Sequence, residues 1–121
     1  MRAEDILSRA RARLLKARLL LHKGRAGEAC VVAWRATVEA INAVTTALWG
    51  ERGETPSRLG KLVEKLYVEG IVDVRSEFCN AYALHEDPPR IHLTPLIIEA
   101  NIKKVEELID KIADALKRSP R

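Results

Sequence analysis

The 121-residue sequence has no glutamine, one methionine and few aromatic residues: two Trp, two Tyr and one Phe. With so few rings available, aliphatic side chains must build the core, and such a composition suits helices better than sheets. The absence of glutamine beside abundant ion-pair-forming residues is typical of proteins from heat-adapted organisms. The length predicts one domain over residues 1–121.

The sequence also has no apolar run near the roughly 20 residues that a membrane span needs, and its N-terminus is charged rather than signal-like. We therefore expect a cytoplasmic protein with no membrane contact. Cys30 and Cys79 form no Cys-x-x-Cys pair, which predicts two reduced core thiols. The histidines show no ligand spacing and the glycines no phosphate-binding loop, so we expect neither metal nor cofactor.

Apolar periodicity predicts four or five helices in an up-and-down antiparallel bundle, an all-α fold. Two segments each carry a heptad seam of apolar residues. In residues 3–22 its members are Ala3, Leu7, Ala10, Leu14, Ala17 and Leu21. After Thr94-Pro95 they are Ile98, Ile102, Val105, Ile109, Ile112 and Leu116. Between them we predict a buried central helix ending at Gly50, a helix opened by Thr55-Pro56, and a helix from about Val72 to His85, stopped by Asp87-Pro88-Pro89.

Positive charge is concentrated at the N-terminus. Residues 1–25 hold eight Lys or Arg against two acids, a net charge of +6, so the remainder sums to −2. A basic arm of this kind indicates an anionic partner such as RNA or an acidic protein. The candidate anion-binding residues are Arg9, Arg11, Arg13, Lys16 and Arg18. The alternative is a solvated face whose long side chains cover the first seam.

Apolar residues outside the first seam predict a second contact surface. Ala12, Leu15 and Leu19 point away from the seam and suit a two-fold interface, which favours a homodimer. In the central helix, Arg35 and Glu39 have the spacing of an ion pair. Trp34 and Trp49 are predicted core residues rather than platforms for nucleobases.

Three segments together resemble the HEPN superfamily, and in particular its archaeal PaREP branch. They are "AGEACVVAWRATVEAINAVTTALWG", "SRLGKLVEKLY", and "NAYALHEDPP" leading into "VEELIDKIADAL". The resemblance implies a dimeric HEPN-like bundle. It also implies either a metal-independent ribonuclease or a partner of a small nucleotidyltransferase.

The ribonuclease motif of that superfamily is an arginine, a following polar residue, and a histidine four to six residues beyond the arginine. On this chain, the resemblance places His85 at the histidine and Asn80 at the polar residue, while Cys79 stands where the arginine belongs. Arg75, ten residues before His85, is the nearest upstream guanidinium. The catalytic candidates are therefore His85, Asn80 and Arg75, with His85 as a proton donor.

These observations support three functions. Loss of the motif arginine favours a non-catalytic, HEPN-like protein that binds a nucleic acid or a nucleotide. The second is an active metal-independent endoribonuclease that uses His85. The third is a protein-interaction module that pairs with a nucleotidyltransferase. Fold analogy does not choose among them.

Overall fold

The computed structural model describes residues 2–86 and 93–118, and it is helical. Five α-helices follow one another along the chain: α1 (Ala3–His22), α2 (Ala26–Trp49), α3 (Pro56–Val68), α4 (Arg75–Glu86) and α5 (Pro95–Arg118). No strand occurs within these ranges. The structure therefore confirms the prediction of an all-helical bundle.

The helices begin and end where local chemistry dictates. The Oγ1 atoms of Thr55 and Thr94 each accept a hydrogen bond from the backbone N–H three residues later, at 3.2 and 3.3 Å, which caps α3 and α5. Gly50 ends α2 in a left-handed conformation (φ 68°). The start of α4 is later than predicted, because the Asp73 carboxylate accepts the N–H of Arg75. The predicted stop at residues 87–89 lies outside the described residues.

Four helices form the bundle and α3 packs on its side. α1 contacts α2 and α5, and α4 also contacts α2 and α5, whereas α1 and α4 make no contact in the described chain. These two helices therefore lie at opposite corners of the bundle. α3 packs against α2 and α4. Ion pairs joining Arg11 to Asp110 and Arg18 to Glu106 show that α1 and α5 run antiparallel.

The two predicted seams face the core, which α2 also builds. In α1, Leu7, Ala10, Leu14 and Ala17 are buried, and at its end Leu20 is buried while the predicted Leu21 is only half-buried. The α5 seam is buried from Ile98 to Ile112, and Leu116 is half-buried. Alternating Ala and Leu on α1 lets its backbone approach α2 closely, because every second seam position is small.

Three predictions about individual side chains need correction. Cys79 is exposed, so only Cys30 is a core thiol. Glu39 pairs with Arg13 and Arg9 of α1 instead of Arg35, which points to solvent. Of the two tryptophans, Trp34 is buried as predicted, whereas Trp49 is half-buried. None of the helices described is long and apolar enough to span a membrane.

Candidate functional site

His85 lies exposed in the last turn of α4, against the aromatic side chain of Trp34 on α2. The two ring centroids are 4.6 Å apart and the planes meet at 25°, which is a stacked arrangement. Tyr82 and Phe78, one and two turns earlier on α4, pack on the same indole at 6.1 and 6.0 Å. Their spacing of four and three residues places all three α4 rings on the helix face toward α2. The imidazole therefore packs on the indole while the His85 side chain is exposed.

Asn80 and Arg75 lie away from this imidazole. Five residues of α-helix separate Asn80 from His85, a rotation of about 140° around the axis. The Asn80 amide donates to the carbonyl of Ser76 at 2.9 Å. Arg75 lies about 15 Å from His85 along α4. Within one chain, the three predicted catalytic residues do not form a cluster.

The guanidinium of Arg75 is also already engaged. Its Nε and Nη2 donate to the two oxygens of Asp73 at 2.9 and 3.0 Å, and its Cζ lies 3.5 Å from the centre of the Tyr67 ring. Hydrogen bonds from the Arg75 side chain and backbone lower the pKa of Asp73 to about 2. The ribonuclease hypothesis requires Arg75 as a cation beside His85. Instead, Arg75 is paired with the Asp73 carboxylate at the opposite end of α4.

The basic side chains of α1 are mostly paired within the chain. On one flank, Arg13 donates to Glu39 of α2 at 2.7 Å, with Arg9 at 3.9 Å from the same carboxylate. On the other flank, Arg11 and Arg18 pair with Asp110 and Glu106 of α5 at 2.6 and 3.1 Å. Four of the five predicted anion-binding residues are therefore partly neutralised, and they join α1 to both neighbouring helices.

Lys16 is the exception among these five residues: it is exposed and has no ion-pair partner in the described part of the chain. Arg35 on α2 is likewise exposed and without such a partner among the described residues. Among the residues that the structure describes, no group of His, Cys, Asp and Glu side chains could hold a metal ion.

The outward face of α1 is apolar at its centre. Leu15 and Leu19 are 62% and 60% exposed, and Ala12 is exposed beside them. A groove of about 380 Å³ runs from this face toward α5, lined by Leu15, Arg18, Leu19, Leu21, His22 and Glu99. Ion pairs border the face on both sides, so an apolar centre is surrounded by a charged rim, as in protein interfaces.

Two acidic residues have partners that the sequence did not predict. Glu39 was predicted to pair within its own helix, and its role as the acceptor for α1 depends on how α1 and α2 pack. Glu77 is 6% exposed and accepts from Lys111 of α5 at 2.7 Å, which raises the pKa of Lys111. A glutamate on an otherwise apolar, buried helix face needs a partner, and this position in the sequence could have indicated that Glu77 forms a buried ion pair.

The family model of the archaeal PaREP1/PaREP8 family matches residues 5–114. The chain belongs to this family. The match covers all of α2, α3 and α4 and most of α1 and α5, so the paired arginines and the His85 end of α4 lie inside it. The sequence has no match among curated proteins.

Proposed function

We propose that this PaREP1/PaREP8 protein is a non-catalytic helical binding protein with a HEPN-like fold that acts by binding another protein through the outward face of α1. One observation carries the proposal: the predicted anion-binding arginines are paired inside the chain, while Leu15 and Leu19 remain exposed between them. Apolar side chains inside a charged rim suit a protein partner better than a phosphate backbone, which needs unpaired cations.

The resemblance to HEPN proteins supplies two partner classes for this surface. One is a second copy of the chain, consistent with the expected homodimer. The other is a small nucleotidyltransferase encoded in the same genome. Both would bury Leu15 and Leu19, and a charge introduced there would prevent either contact because an unpaired charge is costly to bury.

Co-expression with such nucleotidyltransferases, followed by size-exclusion chromatography with mass determination, tests the proposal. We expect one complex that forms with the wild-type chain and is lost with Leu15→Glu. The matched control is Val68→Glu, which adds the same charge at a 72% exposed apolar residue on α3. Absence of any complex, together with RNA binding that weakens steeply with salt, would replace this proposal with the nucleic-acid alternative.

A second function is supported by the His85 end of α4. An exposed imidazole can stack on a nucleobase, and the exposed Arg35 follows Trp34 directly on α2. We propose nucleotide or RNA binding there, without cleavage. Arg75, the predicted catalytic cation, is paired with Asp73 and lies about 15 Å from His85 along α4, so it does not stand at the histidine to stabilise a phosphorane.

Incubation of metal-free protein with end-labelled RNA tests the absence of cleavage. We expect no fragments ending in 2′,3′-cyclic phosphate, with wild type and His85→Ala alike. Cleavage that disappears in His85→Ala would show an active endoribonuclease. Nucleotide binding is measured separately by quenching of Trp34 fluorescence in a Trp49→Phe background, where His85→Ala is expected to weaken the titration.

A further inference from the structure

The outward face of α1 carries a second heptad pattern, distinct from the seam that faces the core. Its members are Asp5, Ser8, Ala12, Leu15, Leu19 and His22, at alternating spacings of three and four residues. All six are exposed, and among the described helices α1 contacts only α2 and α5. Two helices pack along each other through side chains that recur in such a heptad pattern. The outward face of α1 is therefore suited to pack against another helix.

We propose that a second copy of this chain covers this face, with its α1 antiparallel to the first and the two-fold axis between Ala12 and Leu15. This inference rests on the proposed use of the α1 face for protein contact. A two-fold interface must be self-complementary, because the same patch supplies both sides. The order of side chains along the pattern meets this requirement.

In this register, each leucine faces a small side chain. Leu15 lies opposite Ala12 of the partner subunit, and Leu19 opposite Ser8 of the partner subunit. At the ends, Asp5 lies opposite His22 of the partner subunit. Large side chains thus fit against small ones, and at each end an acid meets an imidazole that can donate a hydrogen bond to it.

Each of the other simple arrangements has a disadvantage that this one lacks. A parallel pair would place Asp5 against its own copy at one end and His22 against its own copy at the other, bringing like groups together. An antiparallel pair shifted by one heptad, so that Leu15 faces Leu19 of the partner subunit, leaves Asp5 and Ser8 beyond the end of the opposite helix. The order of the pattern therefore selects one register.

The rim of the face is compatible with close approach. Arg11 and Arg18 already pair with acids of their own α5, so they bring no unpaired charge to that side. On the α2 side, Arg9, Arg13 and Lys16 outnumber Glu39. Two copies repel there, and salt screens the repulsion. Association is therefore expected to strengthen from low to moderate salt, the opposite of RNA binding.

This arrangement determines where the two His85 sites lie. α1 and α4 occupy opposite corners of the bundle, so pairing through α1 leaves both α4 helices on the outer sides of the dimer. Each His85 must then work with residues of its own chain alone, and no shared cleft forms between the copies.

Sedimentation equilibrium of the full chain tests the association. We expect a wild-type dimer that tightens with added salt, and a dissociation constant raised roughly 100-fold or more by Leu15→Glu. Val68→Glu should stay dimeric. A monomeric wild type, or a dimer indifferent to Leu15→Glu, would overturn the inference. If the wild type is monomeric but Leu15→Glu still abolishes a nucleotidyltransferase complex, the proposed function survives and this inference alone fails.

Cross-linking in a Cys79→Ser background tests the register. A mixture of chains carrying Ser8→Cys and Leu19→Cys is expected to form disulfide-linked heterodimers, since these positions face each other across the axis. Neither variant alone should cross-link, because like positions then lie about 16 Å apart along the helices. Efficient cross-linking of Ser8→Cys with itself would indicate parallel helices and contradict the proposal.

Discussion

The imidazole of His85 covers the indole of Trp34, with the ring centroids 4.6 Å apart and the planes 25° from parallel. Trp34 is only 9% exposed, and His85 itself is exposed. A side chain that is the main candidate for chemistry therefore also shields part of the core from water. Removing the His85 side chain should therefore change the packing around Trp34, independently of any chemical role of His85.

His85→Ala, made in a Trp49→Phe background, should move the fluorescence maximum of Trp34 to longer wavelength, because the indole then contacts water. The free energy of unfolding should fall by about 1 kcal/mol, the value of an aromatic pair. Emission spectra and thermal unfolding measure both effects. Lys61→Ala, at an exposed residue of α3, is the control. An unchanged emission maximum would mean that His85 does not cover Trp34.

Glu39→Gln should destabilise the chain and also increase its affinity for anions. The Glu39 side chain is 17% exposed and faces two arginines, so its loss should cost roughly 1 kcal/mol. It also leaves Arg9 and Arg13 free for phosphate. Thermal unfolding and heparin retention measure the two effects. Glu28→Gln, which breaks an exposed i,i+3 pair with Arg25, should change stability less. Equal effects would contradict the role of Glu39 as the acceptor for α1.

Asn42→Ala should be among the more damaging polar substitutions. Its side chain donates to the carbonyl of Gly53 and accepts from the N–H of Gly53, both at 2.8 Å in a buried site. Losing both bonds leaves two buried backbone groups unsatisfied, at a cost of about 2 to 3 kcal/mol. Urea denaturation measures it. Thr46→Ala, which removes a 3.3 Å bond from an exposed hydroxyl, should be nearly neutral, and a similar loss for both would refute this explanation.

Asp73 should show an acid-shifted titration that depends on Arg75. Hydrogen bonds from the Arg75 side chain and backbone hold its pKa at about 2, against an unfolded value of ~3.9. Since the folded pKa is the lower one, the pair stabilises the fold above pH ~4, and this contribution is lost as the pH falls toward 2.

Carbon-13 titration of the Asp73 carboxyl group measures this shift. Arg75→Ala should raise the pKa toward the unfolded value, and Arg75→Lys, which keeps the charge but loses the two parallel hydrogen bonds, should give an intermediate value. A titration that is the same in all three chains would show that Arg75 does not hold this carboxylate.

Much of the fold follows from local sequence. The Thr-Pro pairs predict the starts of α3 and α5, and both caps are present. The heptad seams predict which faces of α1 and α5 are buried, and only positions at the ends of the seams differ. These features could be predicted because periodicity and capping depend on residues within one or two helical turns.

The paired state of the basic arm could not be predicted in this way. Arg13 and its acceptor are 26 residues apart, and Arg11 and Asp110 are separated by 99 residues. A count of charges over residues 1–25 therefore shows an excess of positive charge, and acidic residues of α2 and α5 pair with much of it in the folded chain. For the same reason Arg35 and Glu39, neighbours in sequence, are not partners, since α1 packs on only one side of α2.

The connection between α1 and α2 has a consequence for the order of events in folding. Only residues 23–25 separate the two helices, so closing this hairpin costs little chain entropy. The pair of Arg13 with Glu39 can form as soon as the hairpin closes, whereas Arg11 must wait for Asp110 near the other end of the chain. We therefore expect the two flanks of α1 to form at different times: first the flank toward α2, and later the flank that joins the two ends of the chain.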